Sequence, residues 1–501
     1  MAQANPIAVL SLLTEVLTID FPDMMGRAFT EYMPSFLRHF PLETDPIGNE
    51  GKRYDYRTGP TNNSQASGRL STTTQLDNAM TQNTYNSIVA KPVHINSLQS
   101  PCAVNWADIE YAKDPVAAHD VGFNKANEAY TDMAETRDIM MWSDRRAKIG
   151  GVARDVGVSA DVTEDATADH LTWDLYLDET TIPAAFTIGR RLHVCEDATP
   201  IAGLRNYNTA ITVIEPIVVD QTKTGSFYRV KVRQSYLAAD ITAEGSGSGE
   251  GRTEVVAEVE SIADGDIVCL YGGATASTAT MPSHGPNYGY WGLRDMWART
   301  DIQTATGACS TALATFQGTT VARASGSNFG WLIPSLVTKS GAQITWADFD
   351  SLWLNLDLIT HGEPANWALC NPLLLQSLAN QAGVAGHRLN GSATVAIERL
   401  YAKYGVSGAV YQSVVGSPVI LVGDNHVAPD QMIAPITGAV RRLSPAPATF
   451  VPGGVAGIWE QRHDATSGKR LPVYDAHLHE SQQMFPDDTL RLCGGITGGK
   501  P

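Results

Sequence analysis

Residues 114–151 read DPVAAHDVGFNKANEAYTDMAETRDIMMWSDRRAKIGG, and the fold turns on whether this stretch is one long helix. Asp114 and Pro115 suit an N-cap and a first helical position. Phe123, Ala126, Tyr130, Met133 and Met140 recur at spacings of three, four and seven, the stripe of one helix face. Gly150 and Gly151 supply a stop. At about 1.5 Å per residue the helix spans roughly 50 Å. Such a helix needs an extended partner, not a compact ball.

On its N-terminal side lie two stretches patterned as strands. In GKRYDYRTG (51–59), Arg53, Asp55 and Arg57 alternate with Tyr54 and Tyr56. In SIVAKPVHINSL (87–98), Val89, Lys91, Val93 and Ile95 share a face and Pro92 limits the run to an edge or partial strand. Between them runs TNNSQASGRLSTTTQLDNAMTQ (61–82), uncharged apart from Arg69 and Asp77 and lacking lysine and proline. A long hairpin with a polar tip is the expectation, and loops beyond about 12–15 residues tend to be functional. Residues 7–40, interrupted by Pro22 and Pro34, read as short helical pieces of an arm.

On the C-terminal side, residues 155–280 change to short β-rich runs: RRLHVC (190–195), AITVIEPIVVD (210–220), FYRVKVR (227–233), TEVVAEVE (253–260) and GDIVCLYG (265–272). This spacing predicts a small sandwich or barrel. The loop GSGSGEG (245–251) matches neither the dinucleotide nor the Walker spacing. Further on, Thr345 three residues before Asp348 opens a helix whose face is Phe349, Leu352, Leu356 and Ile359. NWALC follows as a strand, and Asn371 and Pro372 start another helix. SPVILVGD (417–424), AVRRLS (439–444), GIWEQRHD (457–464), LPVYDAHLHE (471–480) and TLRLCGGI (489–496) read as strands. The mixture is α+β, too irregular for a doubly wound sheet.

Composition narrows function. With 53 acidic and 36 basic residues the formal charge is −17, opposite to what phosphate neutralisation requires. Charged residues are 18% of the chain against about 25% in typical soluble domains, so much of the surface is neutral or covered. The longest apolar runs fall short of the roughly 18 residues of a membrane span. The six cysteines stand singly and read as buried small residues in a reducing compartment. Trp346, Trp353 and Trp367 read as core.

The best enzyme-like feature is DAHLHE, where strand periodicity puts Asp475, His477 and His479 on one face and Glu480 opposite. That cluster defines the alternative of a metal-dependent hydrolase. HESQQ lacks the second histidine of the H-E-x-x-H motif, and neither a nucleophile elbow nor a Walker loop occurs. The expectation is therefore no enzyme and no cofactor. A surface-binding β module, suggested by residues 155–280 alone, is a third class.

The order of arm, hairpin, long helix, mixed domain and returning strands resembles the major capsid protein of tailed bacteriophages, the Hong Kong 97-like fold. The likeness is carried by DPVAAHDVGFNKANEAYTDMAETRDIMMW as spine helix, NWALCNPLLLQSLANQ as strand and helix of the axial domain, and SPVILVGD and TLRLCGGI as later strands. It implies an N-terminal arm (1–45), an extended loop (46–98) laid over a neighbour and a peripheral domain with the spine helix (99–154). A β-rich insertion (155–289), an axial domain (290–455) and peripheral-domain strands with the C-terminal strand (456–501) complete it. Tyr54, Tyr56, Arg57 and Arg69 become candidate inter-subunit contacts. The resemblance further implies pentamers and hexamers in an icosahedral shell around double-stranded DNA, without sequence-specific DNA binding or a membrane. Localisation would be the virion, with assembly in the bacterial host cytoplasm. Because the arm starts close to Met1, a separate scaffolding protein is expected, with portal and optional cement proteins as further partners. Since the tip lacks lysine, a covalent cross-link through it is not expected. An encapsulin-like compartment shares the same shell fold and is the nearest alternative.

Overall fold

A computed structural model of the chain describes residues 39–40, 42–43, 52–57, 85–90, 97–105, 107, 115–144, 147–153, 162–164, 170–196, 204–206, 210–235, 259–270, 292–297, 315–316, 319–320, 334–360, 365–385, 408–412, 418–436, 438–450, 460–463, 468–486 and 492–501. The chain is α+β, with α1 (Pro115–Trp142), α2 (Leu293–Trp297), α3 (Trp346–Thr360) and α4 (Pro372–Ala385) set against separate sheets.

The long helix is real and ends earlier than its glycines suggest. Its 28 residues make it about 42 Å long. Ser143 N donates to the Ile139 carbonyl (3.0 Å) and Ser143 Oγ to the Met140 carbonyl (2.9 Å), closing the last turn. Ala147 then takes a positive φ of 53°, and Lys148–Gly151 leaves as a strand. A side chain at Gly150 or Gly151 would run into Thr181 or Asp178, so these glycines permit a close strand approach.

Ala126, Tyr130 and Met133 of the predicted stripe are buried, together with Ala129 and Ala134. This face covers Ser97–Asn105 and part of Arg470–Pro486. The latter strand, 17 residues and roughly 55 Å long, is the axis of a five-stranded sheet. It pairs antiparallel with Ser97–Asn105, Val440–Phe450 and Glu460–His463, and Leu42–Glu43 lies parallel to Val440–Phe450. Strand Val440–Phe450 thus joins the sheet of residues 460–486, although the sequence grouped it with residues 290–455.

The β-rich stretch is a barrel. Eight strands follow the order Lys148–Gly151, Ile267–Leu270, Arg191–Cys195, Ile211–Val213, Tyr228–Ser235, His170–Leu177, Val162–Glu164, with Val218–Val219 also paired to Tyr228–Ser235. The bridge Val152–Leu177, with Ala153 N donating to the Tyr176 carbonyl, links the first strand back to the far end of His170–Leu177. Closure leaves no long open edge. Its first strand starts at Lys148, ahead of the expected boundary at 155, because the chain enters it directly from α1. His170–Leu177 alternates perfectly between buried and half-buried, with Leu171, Trp173, Leu175 and Leu177 inward. Val259 and Glu260, the described end of the TEVVAEVE run, are helical together with Ser261.

The third unit is a six-stranded mixed sheet ordered Ser335–Thr338, Gly494–Thr497, Met432–Ala434, Trp367–Cys370, Pro418–Gly423, Gly408–Gln412. The C-terminal strand Gly494–Thr497 therefore lies here and not with residues 456–485. Thr345 caps α3 as expected: its N–H and hydroxyl both donate to Asp348 Oδ2 (2.7 and 2.8 Å). Asn371 Oδ1 accepts from Leu373 N at the start of α4. Phe349, Leu352, Trp353 and Leu356 are fully buried over the sheet, joined by Trp346 at the edge. One apolar core runs through the units, from barrel residues such as Val230 and Leu175 through Trp142 and Trp297 to Leu369 and Val440.

Hairpin strands Lys52–Arg57 and Tyr85–Ala90 pair antiparallel, Tyr54 opposite Ile88 and Arg57 opposite Tyr85. The return strand ends at Ala90, two residues short of Pro92, and Ser97–Asn105 belongs to the long-strand sheet. Cys102, Cys195, Cys269, Cys370 and Cys493 are buried thiols, while Cys309 lies outside the described residues.

Gly495 is needed for close approach: an added Cβ would lie 2.6 Å from the Met432 carbonyl oxygen and 2.8 Å from Trp297. Gly495→Ala is expected to cost about 1–3 kcal/mol in urea unfolding. Gly468→Ala, with φ +65° and open space around it, should cost less, about 1 kcal/mol.

Candidate functional site

Everything converges on the turn at residues 424–431, DNHVAPDQ, between strands Pro418–Gly423 and Met432–Ala434. Asp424 organises it: Oδ1 accepts from His426 N (2.9 Å), and its carbonyl from Val427 N (3.2 Å), an Asx-type turn. Asp424 N bonds the Cys370 carbonyl, and Asn371 Nδ2 donates to the Val427 carbonyl (2.8 Å), seating the turn on the six-stranded sheet. Ala184 N donates to the Asn425 carbonyl and Asp430 N to the Glu179 carbonyl, tying the barrel to the same turn. His426 Nε2 lies 3.2 Å from Asp138 Oδ2 on α1, and His39 Nε2 lies 3.2 Å from Asp424 Oδ2. Four segments far apart in sequence therefore meet on one turn.

Behind Asp138 sits a second buried cluster. Arg137 NH1 donates to Glu480 Oε2 at 2.5 Å, with both side chains at most 4% exposed. Arg442 is buried beside them; desolvation and the Arg137 charge pull its guanidinium down from the ordinary range, while Glu480 and Asp138 oppose this. Burial pushes the Tyr130 phenol up. These charges hold α1 to the long strands, and each needs its partner because buried charge is costly alone.

Asp430 closes the turn. It is buried, and its Oδ1 has no hydrogen-bond partner among the described residues. Desolvation raises its carboxyl to about 7; Asp178 and Glu179 add to the rise, and Arg294 and Lys148 oppose it.

The residues singled out from sequence fall elsewhere. Tyr54, Tyr56 and Arg57 lie on the hairpin's first strand, while Arg69 lies outside the described residues. Asp475 is held by Arg462 through two contacts of 2.7 Å, His477 is exposed and His479 half-buried. Glu480 points to the opposite face, as the alternation requires, and is consumed by Arg137. Among the described residues no group of three His, Cys, Asp or Glu is placed to hold a metal ion. The junction residues were missed. Arg137 continues the stripe four residues after Met133, and a charge on an apolar helix face was the signal available. For His39, Asp424 and His426 sequence carries none beyond turn-rich composition.

No protein-family model and no curated protein matches the chain. A Cyanophage A-1(L) capsid chain aligns over 93% of this chain and 93% of its own length, at 9% identity and TM-score 0.38. The SrpI encapsulin of Synechococcus elongatus PCC 7942 aligns over 33% of this chain, at 14% identity and TM-score 0.21; the match spans about half of that shell protein, 53%. These are distant likenesses, and the chain's own geometry carries the functional reading.

Glu480→Ala would leave two guanidiniums in a buried site, and a loss of about 3–5 kcal/mol is expected in denaturant unfolding. For Asp430 the folded-state value lies above the unfolded one of 3.8. Its stability contribution is present below about pH 4 and lost as pH rises through about 7. Asp430→Asn should therefore match the parent near pH 4 and exceed it increasingly up to pH 7, by a few kcal/mol; melting curves across that range check it.

Proposed function

We propose that this chain is the shell-forming subunit of a virion capsid with the Hong Kong 97-like arrangement, the major capsid protein of a tailed phage. The observation that carries the reading is the hairpin: among the described residues, Lys52–Arg57 and Tyr85–Ala90 pair only with each other, as a two-stranded sheet separate from the rest. An isolated two-stranded hairpin is marginal in water and gains stability by lying on another surface. A neighbouring copy supplies that surface in a closed shell. The polar tip at 61–82 can hydrogen-bond to related but non-identical sites without charge clashes.

In this reading α1 and the long-strand sheet form the peripheral domain, now with Val440–Phe450 included. The six-stranded sheet with α3 and α4 forms the axial domain around each capsomer centre, and the barrel is an insertion. Pentamers and hexamers build the shell with help from separate scaffolding and portal proteins, and cement proteins where present. Tyr54, Tyr56, Arg57 and Arg69 make contacts between copies, without a covalent bond through the tip. The net charge of −17 suits a container that holds DNA without binding it tightly. Assembly takes place in the host bacterial cytoplasm.

Deletion of residues 62–82 is expected to leave a folded subunit with unchanged circular dichroism and to abolish or distort shells seen by negative-stain microscopy. Normal particles from the deletion would refute the role of the hairpin. Wild-type particles from infected cells should protect DNA from nuclease; particles filled with protein alone would overturn the viral reading and keep the shell.

A further inference from the structure

The run His39–Asp424–His426–Asp138 alternates imidazole and carboxylate through the centre of the molecule. His426 Nδ1 lies 2.8 Å from Asp424 Oδ1 and its Nε2 3.2 Å from Asp138 Oδ2. A neutral imidazole carries one N–H and one lone pair. It can therefore face only one of these carboxylates as donor, and the other contact would set a lone pair against an anionic oxygen. Both contacts are attractive only when His426 is the imidazolium. His39 Nε2 meets the second oxygen of Asp424, so that one carboxylate serves both rings.

Charge balance leads to the same state. Counted with Arg137, Arg442 and Glu480 beside Asp138, the group carries one uncompensated negative charge when both histidines are neutral, and a proton on His426 cancels it, on side chains 0–19% exposed around that ring. Uncompensated charge so far from water is costly. The aromatic walls favour the cations too. His426 stacks on Trp142 (centroids 6.1 Å, 23°) and His39 on Trp367 (5.8 Å, 28°), in the range of cation–π attraction. Facing the run from the other packed elements are Arg442 behind Asp138, with Arg137 and Glu480 beyond it. Arg442 attracts Asp138 as a carboxylate and offsets part of its charge.

The segment this run secures is the root of the N-terminal arm. His39 and Phe40 precede the strand Leu42–Glu43, and Phe40 sits in the core against the edge of Trp142 (6.3 Å, 75°). We propose that His39, Asp424, His426 and Asp138 form a proton-held latch that fixes the root of the N-terminal arm to α1 and to the turn at 424–431, and that opens as pH rises. The sign follows from the donors: the latch is complete while His426 carries both N–H groups, and on giving up one proton that ring keeps a donor for only one of its two carboxylates. This holds whether or not the chain builds a shell. In a shell it would make seating of the arm respond to proton concentration.

Arg38 immediately precedes His39, so trypsin reports on the latch at the Arg38–His39 bond. The full-length protein is digested at about pH 6 and about pH 8.5, and release of fragment 1–38 is followed by mass spectrometry. Each rate is divided by that of heat-denatured chain at the same pH. The normalised rate is expected to rise about tenfold at the higher pH, a shift of about 1.4 kcal/mol. His426→Gln, which keeps one donor but cannot be charged, should be cut rapidly at both values. His39→Gln, at the outer end of the run, is the variant to use if His426→Gln does not fold, and should flatten the response as well. An unchanged wild-type rate between the two pH values, or a full pH response in a folded His426→Gln or His39→Gln, would overturn the latch.

Discussion

The last two turns of α1 carry Arg137, Asp138, Ile139, Met141 and Trp142, all buried, and the rest of the structure is arranged around what those residues require. Apolar side chains at a helix end ask only for covering. A guanidinium and a carboxylate in the same place need partners of opposite charge, since neither is tolerated alone in the interior. Those partners come from far along the chain: Glu480, 343 residues from Arg137, and Arg442 and His426 between them. The long-strand sheet, the turn at 424–431 and His39 are thereby drawn to one point. Specific geometry follows because a buried charge accepts few alternative partners.

The barrel is not a pendant module. It begins five residues after α1 ends, shares one apolar core with Trp142 and Trp297, and bonds the turn at 424–431 through Ala184 and Asp430. Gly292 and Gly495 mark where backbones approach closely: a Cβ there would lie 1.9 Å from the Ser143 carbonyl oxygen and 2.6 Å from that of Met432. Around this continuous body the hairpin is the exception. It satisfies its own ladder and finds no sheet to join among the described residues.

Much of this was legible in local pattern. The stripe Ala126, Tyr130, Met133 gave α1, the pair Thr345 and Asp348 gave the start of α3, and Asn371–Pro372 gave α4, because helix periodicity and caps depend on residues a few positions apart. The barrel strand His170–Leu177 was equally readable, its alternation being complete, yet the sequence reading passed over it. The helix end was misplaced at Gly150 since glycine is ambiguous: it stops helices, and it also admits a close neighbour, here Thr181. The partner of Asp475 was not legible in the same way: Arg462, thirteen residues away, occupies both of its oxygens.

Sequence by itself determined the α+β class, the long helix, the hairpin and its polar tip, the β-rich middle and the acidic balance, all of which follow from composition and short-range periodicity. Tertiary structure alone decided that the β-rich stretch closes through Val152 and Leu177, that Val440–Phe450 joins the long-strand sheet and Gly494–Thr497 the six-stranded one, and that His39, Asp138, Asp424 and His426 meet. Strand partners and charge partners are chosen by three-dimensional packing among residues hundreds of positions apart. No local spacing encodes that choice.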